Sequence, residues 1–133
     1  MKLLHIGDVV GAAGSRFLQE RLPNIKRTHK IDMTVVNGEN SAQGNGITKH
    51  SMEQIFSAGA DVITTGNHCF KRREALAIYD NPVVLRPANY PEGCVGHGIC
   101  TIDFGPCQVA VLNLSGTAYL DPLDNPFTVI LVL

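Results

Sequence analysis

Three stretches of this sequence carry an apolar run through a glycine to side chains that bind metals or move protons. "LLHIGD" ends on Asp8, "MTVVNGEN" on Glu39 and Asn40, and "DVITTGNH" on Asn67 and His68. Two carboxylates and two amide oxygens form an oxygen-rich donor set, which suits hard or borderline divalent ions such as Mn²⁺, Mg²⁺ or Fe²⁺. A carboxylate can bridge two such ions, and Glu39, on the middle motif, is the natural bridge. Two ions ~3.5–4 Å apart clamp a phosphoryl group during in-line attack. His68 stays off the metals in this reading. It protonates the leaving oxygen, a task suited to an imidazole with an unperturbed pKa of ~6.5. Taken singly, an aspartate after a strand reads as a turn or capping residue, and "GNH" as a turn with a hydrogen-bonded histidine. Three strand ends in a row give the functional reading its weight.

The elements that must position these residues follow from periodicity. "KLLHI" (2–6), "DMTVV" (32–36), "DVITT" (61–65) and "VVLR" (83–86) read as strands. The spacing predicts helices over 15–29, 48–59 and 71–80. Phe17, Leu18, Leu22 and Ile25 stripe the first helix, and Pro23 should kink it or end it early. Thr48 is a natural N-cap for the second and Gly59 its stop. "CTIDF" and "QVAVLNL" flank "GPC" as a hairpin. Apolar strands alternating with helices imply an α/β fold, a mostly parallel sheet with helices on both faces, in one domain over residues 1–133. In such a sheet functional groups collect beyond the carboxyl ends of the strands. Neighbouring strands would therefore bring all five side chains to one rim. The tail "TVILVL" (128–133) is uncharged and β-prone, so it is expected to pair as a strand or to mark a chain that ends before its fold does.

Two other motifs compete. Glycines at 7, 11 and 14 after the first strand suggest a dinucleotide loop, but the spacing is G-x-x-x-G-x-x-G, and Asp8 would place negative charge where a pyrophosphate must sit. Cys94, His97 and Cys100, with Cys107 across the hairpin, suggest a zinc site; their spacing matches no common signature, and ordinary thiols are the simpler reading. His5 reads as a core or sheet-face residue, and His29 and His50 as lying on helix surfaces or ends.

Composition sets the class. A net charge of −1 gives no electrostatic footprint for nucleic acid or an anionic membrane. No apolar run approaches the ~18 residues of a membrane span, no signal peptide is visible, and the four cysteines form no C-x-x-C pair. The expectation is a cytoplasmic protein with reduced thiols.

"IGDVVG", "NGENSAQGNGIT", "DVITTGNH", "LRPANYPEG" and "PLDNPF" together resemble the YmdB-like metallophosphoesterases, a bacterial branch of the calcineurin-like phosphoesterases, from Met1 to about Phe127. The resemblance implies a di-metal phosphodiesterase on an α/β sandwich. It implies two divalent ions, Fe or Mn before Mg, a small phosphodiester or cyclic nucleotide substrate of the 2′,3′-cyclic AMP type, and a homo-oligomer. In the family, the residue matching Asp8 binds one metal, that matching Glu39 bridges both, those matching Asn40 and Asn67 add oxygens, and that matching His68 donates the proton. Lys71 stands where the family usually has an acid, and "TVILVL" where it has an amphipathic helix. Family members also draw three metal-binding histidines from a second half. Two six-coordinate ions need about ten to twelve ligand positions, more than this chain offers. The expectation is therefore the first half of such a site on a truncated chain, with an inactive fragment or a self-associating module as the alternative.

Overall fold

The computed structural model describes residues 1–132. Four strands, β1 (Leu3–Ile6), β2 (Met33–Asn37), β3 (Val62–Thr64) and β4 (Val84–Leu85), form a parallel sheet in the order β1-β2-β3-β4. Between them run α1 (Gly11–His29), α2 (Lys49–Ser57) and a 3₁₀ helix (Arg73–Asp80). An antiparallel hairpin of β5 (Ile99–Asp103) and β6 (Gln108–Leu112) follows, and a short helix, α3 (Pro126–Ile130), lies near the end. Among the described residues no helix is long and apolar enough to cross a membrane.

Alternation along each strand divides the core into two layers. Val36, Ile63 and Val84 point to one face, where they meet Leu18 and Leu22 of α1, Ile55 of α2, and Ala75, Ile78 and Tyr79 of the 3₁₀ helix. Met33, Val35, Val62 and Leu85 point to the other, against Cys100, Ile102, Val109 and Val111 of the hairpin. The α/β class and the parallel sheet are as the pattern implies. The second face, where helices are also expected, is covered by the hairpin. A two-stranded ribbon with apolar residues on one side buries that face as a helix would.

Several local expectations change. The first helix begins at Gly11, four residues before the predicted start, and passes through Pro23 to His29 without ending. A proline inside a helix costs about 3 kcal/mol. It is tolerated here because the helix is pinned on both sides of it. Leu18 and Leu22 are buried in the core, and the Lys26 ammonium donates to the Gly59 carbonyl and to Asp61 at 2.6 and 3.1 Å. Phe17 and Ile25 of the expected stripe are exposed, and line a groove beside Leu4 and Ile6 of β1. The third predicted helix is 3₁₀ over Arg73–Asp80, and it buries Ala75, Ile78 and Tyr79 against the sheet. At α2 the expected cap is present: the Thr48 hydroxyl accepts from the Ser51 amide while the Ser51 hydroxyl accepts from that of Thr48.

The tail is not a strand. Asn125 caps α3 by accepting from the Phe127 amide, and Pro126 at its first turn is pre-set for helix. This N-terminal signal outweighs the β propensity of 128–132. Phe127 and Leu131 are largely exposed, and residue 133 lies outside the described residues.

Candidate active site

Register brings the three motifs to one rim. Ile6 pairs with Val36, and Asn37 with Thr64. The ladder continues past the strand ends: the Val9 amide donates to the Asn37 carbonyl, that of Gly38 to Thr64, and that of Thr65 to Leu85. Asp8, Glu39–Asn40 and Asn67–His68 therefore leave the sheet on the same edge. A left-handed turn at Asp8 (φ +40) swings β1 into α1, and the Gly11 amide donates to the Asn40 carbonyl at 2.8 Å. That contact uses an amide at the start of α1 which a dinucleotide loop would offer to a pyrophosphate.

Four of the five predicted residues are in mutual contact. The Asn40 amide nitrogen donates to Asp8 Oδ1 at 2.7 Å. His68 Nδ1 lies 2.7 Å from Asn40 Oδ1. The His68 backbone amide donates to Glu39 Oε2 at 3.2 Å, and the imidazole Nδ1 stands 3.9 Å from the same oxygen. Asn67 is at the same turn, but its side chain is exposed and makes no hydrogen bond among the described residues. Glu39 is held by its own neighbours. Asn37 Oδ1 accepts from the Glu39 backbone amide at 3.3 Å, the Asn37 amide nitrogen donates to Oε1 at 3.4 Å, and the carboxylate lies over Gly66. A Cβ at Gly66 would stand 2.5 Å from Oε1 and 2.6 Å from Oε2, so only glycine admits the carboxylate there. Gly38 is needed for a different reason, since a Cβ there would meet Ile55 at 2.8 Å. Gly7 is not needed for space, and the turn falls on Asp8 instead.

Several residues that frame this rim were not legible as functional. Asn37 reads as the end of a strand. Asn113 lies in a sequon, yet its amide donates to the carbonyls of Thr65 and Leu85 at 2.7 and 3.1 Å and ties the hairpin to the ends of β3 and β4. Arg72, in the basic run "KRRE" (71–74), donates to the carbonyls of Gln43 and Asn45 and clasps the loop after Glu39–Asn40. Under His68, Cys69 is buried, its carbonyl accepts from the Tyr79 hydroxyl at 2.7 Å, and burial pushes the Cys69 thiol up. Lys71 is exposed, and its backbone amide donates to the His68 carbonyl. The other histidines are away from the rim: His5 is exposed on the hairpin side of β1, and His29, His50 and His97 are exposed elsewhere. All four cysteines are free thiols.

The donor chemistry can be set against a metal. Carboxylate and amide oxygens held around a glycine cradle fit a hard divalent ion in kind. They do not fill its coordination, because among the described residues no three His, Cys, Asp or Glu side chains gather closely enough to hold an ion unaided.

Residues 4–133 match the family model described as YmdB-like protein. The chain belongs to the YmdB-like family. Over 96% of its length it is 42% identical to the 2′,3′-cyclic-nucleotide 2′-phosphodiesterase of Bacillus subtilis (strain 168), covering 48% of that protein. Among solved structures, a hypothetical protein from Thermus thermophilus superposes with a TM-score of 0.92 at 35% identity, covering 98% of this chain and 51% of that one. A novel phosphatase from Mycoplasma pneumoniae gives the same TM-score, 0.92, at 29% identity, covering 99% and 50%. This YmdB-like chain thus spans about half the length of the curated relatives it matches, and it keeps the fold of these solved structures throughout the half that it covers.

Proposed function

We propose that this chain carries the first half of a metal-dependent phosphodiesterase site for small phosphodiesters of the 2′,3′-cyclic nucleotide type. The observation that supports it is the convergence of Asp8, Glu39, Asn40 and His68 at one rim, with the Glu39 carboxylate seated over Gly66, where any Cβ would displace it. Membership of a family with a relative named 2′,3′-cyclic-nucleotide 2′-phosphodiesterase supplies the reaction class.

In this reading Asp8, Glu39, Asn40 and Asn67 would hold two divalent ions, Fe or Mn before Mg, and Glu39 would be the ligand common to both. When bound, the ions supply Lewis-acid polarisation of the phosphoryl group and a nucleophile at neutral pH. The chain's own residues do the rest. His68 presents a ring nitrogen at the rim and gives its proton to the leaving oxygen. The His68–Glu39 backbone contact fixes the turn from which that ring projects. The remaining ligands would come from polypeptide equivalent to the part of the relatives that this chain does not cover, and the chain would associate as a homo-oligomer.

The test is metal content after exposure of the purified chain to Mn²⁺ and Fe²⁺, read by plasma mass spectrometry, with hydrolysis of 2′,3′-cyclic AMP assayed alongside. Uptake that is lost in Glu39→Ala supports the site. Metal content equal in Glu39→Ala and wild type would sink the bridging role. Concentration-dependent self-association with no metal uptake would favour a non-catalytic module instead.

A further inference from the structure

The bond between Asn40 and His68 has a direction that the chemistry of Asp8 decides. The Asn40 amide nitrogen donates to Asp8 Oδ1 at 2.7 Å. The Asn40 oxygen is then the atom 2.7 Å from His68 Nδ1. An amide oxygen also only accepts, so Nδ1 must carry the hydrogen. With the amide turned over, two acceptor oxygens would face each other across 2.7 Å at Asp8, which is repulsive. The three side chains therefore form a one-way chain, His68 Nδ1–H to Asn40 and Asn40 to Asp8.

We propose that Asn40, itself oriented by Asp8, is a positioning residue that fixes the tautomer and ring direction of His68. Nδ1–H is committed to Asn40, and Nε2 is left as the nitrogen that exchanges a proton with a ligand at the rim. Nε2 has no protein partner among the described residues, and the ring is partly exposed. Glu39 is the other acceptor near Nδ1, but at 3.9 Å Oε2 is beyond hydrogen-bond length, and it already accepts from the His68 backbone. The backbone contact sets where the turn sits, and Asn40 sets which way the ring faces.

The consequence for catalysis rests on the phosphodiesterase reading; the tautomer itself does not. A general acid must keep its exchanging proton on the nitrogen that faces substrate, and the partner of the other nitrogen decides which one that is. Asn40 would do this without adding a charge next to the donor. Both Asn40 and Asp8 would retain oxygen lone pairs for an ion, since an amide oxygen has two and Asp8 uses only Oδ1.

The experiment is two-bond ¹H–¹⁵N correlation spectroscopy of the histidine rings in the ¹⁵N-labelled full chain, with chelator present and at a pH where ordinary imidazoles are neutral. His68→Gln identifies the His68 signals. Wild type should show a protonated Nδ1 and an unprotonated Nε2. Asn40→Ala should move His68 to the Nε2–H form. Asp8→Gly, compatible with the positive φ there, should weaken the preference, and Asp8→Asn should restore it. If Asn40→Ala fails to fold, Asp8→Gly and Asp8→Asn carry the test. An Nε2–H tautomer in wild type would overturn the proposal. So would an Nδ1–H tautomer that persists when Asn40 is removed, which would give the role to Glu39. No metal or substrate enters the readout, so the absence of phosphodiesterase activity would leave this result standing, and the reverse also holds.

Discussion

The contact between Gly66 and Glu39 gives the sharpest prediction. In Gly66→Ala the new methyl would lie 2.5 and 2.6 Å from the two carboxylate oxygens, roughly an ångström inside ordinary van der Waals contact. The φ of Gly66 is not left-handed, so the backbone itself accepts alanine. The carboxylate must swing away. The bond from the His68 amide to Oε2, already 3.2 Å long, then exceeds hydrogen-bond range. Losing a hydrogen bond to a charged acceptor costs about 1.5–3 kcal/mol. Alanine returns about 0.4–1 kcal/mol through the unfolded chain. The net loss is about 1–2 kcal/mol, or a fall in Tm of roughly 3–8 °C for a chain of this size. The assays are a thermal melt, the His68 amide resonance, and metal uptake. Gly7→Ala is the control, since nothing lies within 4 Å of a Cβ there and its melt should not fall. A Gly66→Ala chain with the wild-type melt and an unmoved His68 amide would refute the placement of Glu39 over Gly66.

Three further outcomes follow from the framing residues. Gly98→Ala would place a methyl 2.3 Å from the Ala88 Cα, which is backbone and cannot rotate away; overpacking of this kind costs about 1–3 kcal/mol or more, and chemical denaturation should show it as a lowered midpoint. Asn113→Ala removes the donor to the Thr65 and Leu85 carbonyls; a loss of about 1–3 kcal/mol is expected, with faster amide exchange at the ends of β3 and β4. Tyr79→Phe leaves the Cys69 carbonyl without its 2.7 Å donor and should cost about 1 kcal/mol at neutral pH. Burial pushes the Tyr79 phenol well above its ordinary value near 10. On raising the pH the unfolded chain therefore loses this proton first, the folded chain holds more protons, and stability falls as pH climbs past about 10. Urea titrations across that window should give a shallower decline for Tyr79→Phe than for wild type. An equally steep decline would exclude Tyr79 as a contributor and leave Tyr90 and Cys69, which burial shifts the same way.

The parallel sheet and the identity of the rim residues were legible in the amino-acid order. Near-continuous apolar strands can be read locally, and Asp8, Glu39, Asn40 and His68 all stand just past a glycine that closes one. The α2 cap at Thr48 was equally local, because its partner Ser51 is three residues away. Where a distant contact or a helix cap opposed a local preference, local reading failed. Pro23 is a signal to kink or end α1, and α1 does not end there, because buried leucines before it and the Lys26 contacts after it hold the helix. The β-prone tail reads as a strand or as a chain that ends before its fold does, and the Asn125–Pro126 start carries it into a helix as far as Ile130. How the site residues face one another came from tertiary contacts. The Asp8–Asn40 bond spans 32 positions and the Asn40–His68 bond 28. Side chains that far apart in sequence acquire a common geometry only when strand register fixes the distance between their backbones. The same register seats Glu39 on Gly66, a relation that neither motif reveals alone.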